Sequence, residues 1–146
     1  MRTLHEAHSQ SEFQARLRAL TSASQRRWGK MSVDQMLWHV NSALCVAMGE
    51  FTIPPQSPPL PRRVMLFLAL NMPWPKGAPT LAPFVARQPY DFAAEHARCC
   101  RLVEKFGSKS INEPWPINPV FGKMSGQQIS RLQAKHLDHH LKQFGV

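Results

Sequence analysis

The chain has 146 residues, 43% hydrophobic and 18% charged, which suits one globular domain and excludes a disordered chain. Its 18 lysines and arginines outnumber 9 acidic residues, for a net charge of +9. The cations are scattered, and the pairs Arg26-Arg27 and Arg62-Arg63 lack interleaved aromatic residues, so nucleic acid is not an expected partner.

Cys45, Cys99 and Cys100 include one adjacent pair and no Cys-x-x-Cys. That excludes a secreted disulfide framework and a cysteine-based zinc knuckle, and predicts reduced thiols in a cytoplasmic protein. The most apolar stretch, Val64 to Leu70, is too short to cross a bilayer, and the first residues do not read as a signal peptide.

In chain order, Ser9-x-x-Glu12 has the form of a capping box, and Phe13, Leu17 and Leu20 follow at helical spacing, predicting a first helix to about Leu20. Thr21 to Lys30 reads as a loop. Ser32-x-x-Gln35 opens a second helix whose stripe is Val33, Met36, Leu37, Val40, Leu44 and Ala47, closed by Gly49. Ile53 to Pro61 holds five prolines and must be a connector. A short apolar helix over Arg62 to Asn71 follows, then a second proline-rich stretch from Pro73 to Pro89. Asp91 is a suitable N-cap for a helix to about Phe106, with Gly107 after it. Ser108 to Lys123 is again a loop, and Ser125-x-x-Gln128 opens a last helix to about Phe144. No segment alternates with period two. The expected fold is all-α: a four-helix bundle with long proline-rich connecting loops.

The last helix carries the chemistry. At about 100° per residue, Ile129, Leu132, Leu137, Leu141 and Phe144 form its apolar arc, and His136 and His140 fall near the middle of it. Arg131, Lys135, Asp138 and Lys142 lie opposite. Two imidazoles one turn apart can turn to a single point, the spacing helical metal sites use, and a metal would offset the cost of burying them. The alternative for each is a hydrogen-bonded core histidine. His139 sits at the edge of the arc and Gln143 close to Leu132; both are candidates for orienting ligands or substrate.

A third ligand is needed. His39, on the flank of the apolar stripe of the second helix, is the best candidate. His5 and His8 precede the first helix and are expected to be mobile; His96 is on a polar side. Asp34 is explained by a helix start and Asp138 points to the polar face, so neither is expected to act as a base. Trp38 and Trp74 are expected in the core more than in a pocket.

Trp28-Gly29-Lys30-Met31-Ser32-Val33-Asp34-Gln35-Met36-Leu37-Trp38-His39 resembles the second-helix motif of the DinB-like (YfiT-type) superfamily. Phe121-Gly122-Lys123-Met124-Ser125 and Lys135 to Val146 resemble one branch of it with no assigned reaction. The resemblance implies a four-helix bundle in which three histidines, here His39, His136 and His140, hold a divalent metal. Members include thiol-dependent transferases and DNA-damage-induced proteins, and are often dimeric. Relatives in that branch carry His-Pro ahead of the Phe-Gly element, where this chain has Asn118-Pro119.

Three imidazoles leave a coordination position open, the pattern of a catalytic metal. Zinc or nickel suits such a site best, iron or manganese less well. The expected function is therefore a metal-dependent transferase or hydrolase acting on a small molecule, with a thiol as one candidate. A non-catalytic metal-binding stress module is the alternative, and a basic nucleic-acid-binding bundle a more distant one. The Val64 to Leu70 helix is the candidate surface for a homodimer.

Overall fold

A computed structural model describes residues 2–146. Among them are five α-helices: α1 (Ala7–Ala19), α2 (Val33–Met48), α3 (Arg62–Asn71), α4 (Phe92–Ser108) and α5 (Gly126–Gln143), with a 3-10 turn at Ala82–Phe84 between α3 and α4. The described residues contain no strand; an isolated antiparallel bridge joins Asn118 and Gly122. All thirteen prolines fall outside the α-helices, as their missing N–H and fixed φ require.

The central element is α2. Its capping box is formed, with Gln35 Oε1 accepting from the Ser32 N–H at 3.1 Å, and Gly49 ends it in the left-handed region. Twelve of its sixteen residues are buried, because it packs against both α4 and α5. α1 also packs against α4 and α5, whereas α3 packs against α5 alone among the helices. The shared core contains Phe13 and Leu17 of α1, Met36, Leu37 and Val40 of α2, Val103 and Phe106 of α4, and Leu137 and Leu141 of α5. The outward face of α3 leaves Val64, Phe67 and Leu68 exposed. No helix is long and apolar enough to cross a membrane among the described residues.

Three sequence expectations need correction. Ser9 does not cap α1; the helix begins at Ala7 with Glu6 as N-cap, and Ser9 is buried inside it. The start moves back because the preceding residues are tied down. Leu4 is fully buried and its N–H donates to Ser130 Oγ at 2.9 Å. His5 is likewise not mobile: its ring bridges Ser130 Oγ (2.7 Å) and the Lys109 carbonyl (2.9 Å). His8 lies within α1 and is exposed.

The third correction is at Gly107, which is part of α4; the helix ends at Ser108 with Lys109 as C-cap. Here glycine answers a close approach. A Cβ at 107 would overlap the Leu4 carbonyl and the Gln10 amide, and Gln10 Nε2 donates to both Leu4 O (2.6 Å) and Val103 O (2.9 Å). Gly→Ala in a helix ordinarily stabilises by about 1 kcal/mol. At this position the expected result of Gly107→Ala is a loss of about 1–3 kcal/mol from overpacking, read by urea denaturation; an unchanged or raised midpoint would refute the assigned contact.

Candidate metal centre

His39 comes from the middle of α2, and His136 and His140 from successive turns of α5. The facing of these two helices brings the three rings together. Ring centroids are 4.9 Å apart for His39 and His136, 4.7 Å for His39 and His140, and 4.8 Å for His136 and His140. One ligand nitrogen from each lies within 4.8 Å of the other two. Nitrogens that share one tetrahedral zinc at about 2.0–2.1 Å lie about 3.3–3.4 Å apart, so a pair at the 4.8 Å limit needs to close by roughly 1.4 Å.

Hydrogen bonds set which nitrogen each ring presents. His39 Nδ1 donates to the Phe84 carbonyl at 2.9 Å, which makes its Nε2 the free lone pair. That Nε2 lies 2.9 Å from His136 Nε2. His140 Nδ1 lies 2.8 Å from Gln143 Oε1 and donates to it, so its Nε2 is also left free. Gln143 in turn donates from Nε2 to the Trp28 carbonyl at 2.9 Å.

Gly29 makes that last bond possible. Its φ of +81° is unfavourable for a side chain, and a Cβ there would meet the Gln143 amide. The loop before α2 can therefore lie directly on the amide that orients His140.

Residues 2–145 match the DUF1569 family, described as protein of unknown function. The chain belongs to the DUF1569 family. No curated protein and no solved structure matches it.

In this DUF1569 chain the three histidines open onto a cavity of about 620 Å³. Its walls come from α2, α3, α5 and the proline-rich connections, including Trp74, Phe84, Asn118 and Phe121. Trp74, whose sequence expectation was core packing, lies 5.9 Å from His136 and lines the cavity. Its indole donates to Ala69 O at 2.8 Å, and the Lys135 ammonium sits 5.5 Å from its ring centre while donating to Ala69 O and Met72 O. Trp38 does not reach the cavity wall; it stacks on Tyr90 at 5.0 Å.

His139 lies outside the three-nitrogen group. It packs between Trp28 and Trp74, 5.7 Å from each, and lines the cavity. Asp34 accepts the Tyr90 N–H at 2.8 Å, and Asp138 pairs with Arg16 and Lys142 at 2.7 Å each, so neither carboxylate joins the three converging histidines. Asn118, of the Asn118-Pro119 pair, sits at a turn and bridges to Gly122. Its Oδ1 accepts the Val120 and Phe121 N–H groups at 2.8 and 3.0 Å, so it builds the turn that presents Pro119 to Phe121 to the cavity.

The partners Phe84 O and Trp28 O were not foreseeable, since a backbone carbonyl has no residue-type signature. Gln143 carried a weak signal, being three residues after His140 on the same helix face.

Burial lowers the pKa of His39, and it carries His136 well below the ordinary value of 6.5 and His140 down to about 3. Neighbouring imidazoles deepen all three shifts. The unfolded chain then takes up protons first as pH falls below about 6.5. Stability is complete above that pH and is lost as pH drops toward the folded-state values. For metal-free protein, each histidine held neutral removes about 1.4 kcal/mol per pH unit over that window. Melting curves between pH 7.5 and 5 should show a falling Tm, and His140→Phe should flatten the slope; a slope the substitution leaves intact contradicts this account.

Proposed function

We propose that the protein is a divalent-metal-dependent enzyme of DinB-like type, with α1, α2, α4 and α5 forming its four-helix bundle and His39, His136 and His140 holding the ion. The observation that carries this reading is the convergence of three imidazole nitrogens, from buried His39 and His140 and half-buried His136, beside a cavity. Two of the rings are oriented from behind by hydrogen bonds, the arrangement expected of metal-binding histidines. Imidazole donors favour zinc or nickel, then iron or manganese. Three protein donors leave a position for substrate, and a bound divalent ion would supply Lewis acidity to a substrate head group such as a thiol or a water molecule.

The chain's own residues divide the remaining work. Phe84 O holds His39, and Gln143 holds His140 against the Trp28 carbonyl. No Asp or Glu lines the cavity, so the chain offers no carboxylate base beside the histidines. His139 is the one titratable side chain left on the wall to accept a proton. This favours group transfer involving a thiol over carboxylate-assisted hydrolysis.

Elemental analysis of protein purified without a histidine tag should find about one equivalent of divalent metal per chain. His136→Ala and His140→Ala should each abolish it, whereas His139→Ala should retain it. Gln143→Leu should weaken affinity about 10- to 100-fold. Metal content indifferent to His136→Ala and His140→Ala would remove the reading. Thiol consumption with added electrophiles then separates a transferase from a protein that only binds metal.

A further inference from the structure

The chain carries 27 charged residues, yet none of them lines the cavity in front of the three histidines. The wall is built from Val46, Leu68, Met72, Trp74, Phe84 and similar apolar groups, and its non-histidine polar members are Thr80, Asn118 and Gln133. A neighbouring groove of about 420 Å³ contrasts with it, being lined by Arg2, Arg131, Lys135, Asp138 and Lys142. Charge is therefore sorted between two adjoining depressions.

A charged ligand body in the cavity would lose its hydration and meet no opposite charge away from the histidines, which is strongly unfavourable. An apolar body gains in proportion to the area it removes from water. The wall continues onto the surface without a polar rim on one side. Leu68 and Met72 line the cavity and are also 38% and 50% exposed, and Val64 and Phe67 lie beside them on α3.

We infer that the site takes a neutral, largely apolar small molecule with a single metal-seeking end, and not a charged hydrophilic thiol or nucleotide. The inference rests on the function proposed above for the head group, but the apolar body is argued from the wall alone.

Two arms test it. In the first, metal-free protein is titrated with N-phenyl-1-naphthylamine, a neutral apolar dye. Saturable fluorescence enhancement is expected. Ala43→Phe, which fills the cavity from α2, and Leu68→Glu, which puts a charge on its exposed wall, should each weaken dye binding at least tenfold while retaining the helical circular dichroism signal. In the second, zinc-loaded protein is titrated with benzohydroxamic acid and its 4-carboxy analogue, which share a metal-binding group and differ by one charge. The neutral probe should bind at least tenfold more tightly. Absence of saturable dye binding, dye affinity indifferent to both folded variants, or equal affinity for the two hydroxamates overturns the inference. Failure to load metal overturns the function proposed above, and the dye arm still decides the nature of the ligand body.

Discussion

The contact between α2 and α5 is where the rest of the structure is decided. Two amphipathic helices would ordinarily meet there through leucine and valine, and on either side of the site they do, with Val40, Leu137 and Leu141 fully enclosed. Between them the chain places three imidazoles. Buried polar rings are tolerable when their N–H groups are satisfied. The Phe84 carbonyl and Gln143 satisfy two of them and leave Nε2 presented at each ring. The hydrogen bonds that make burial tolerable thus also set the direction of the lone pairs.

That arrangement explains the uneven treatment of the loops. The connection before α2 must bring the Trp28 carbonyl onto Gln143, which is why position 29 has no side chain. The proline-rich stretch after α3 must return Phe84 to His39 and also roof the cavity with Trp74. Prolines suit these segments because they reduce the conformational freedom the loops lose on folding. The hairpin turn at Asn118 closes the remaining side, its Oδ1 taking two consecutive backbone N–H groups.

The helices were legible in the sequence because they obey local rules: the capping boxes at Ser32 and Ser125 are both formed, and α3 spans the residues its apolar run indicated. Errors arose where a tertiary contact overrode a local signal, as when Ser130 anchored Leu4 and drew the start of α1 backward. The histidine cluster could be read because helical periodicity alone puts His136 and His140 on the buried arc. The cavity could not, since its walls are loops whose course depends on carbonyl contacts and on Lys135 holding the end of α3. His139 and Trp74 acquired their places from those walls and not from any periodic pattern.

His39 and His136 are 97 residues apart in sequence. An ion shared by them would close a loop spanning most of the chain, as a long-range crosslink does. In the chain-entropy account, closing a loop of about 100 residues removes roughly 4–5 kcal/mol of unfolded-state freedom. Such a tie would join the α2 half of the molecule to its last helix without any disulfide, and it could be undone by a chelator where a covalent bond could not. With an ion bound, the histidine cluster would be a fastening point for the fold as well as a place for chemistry.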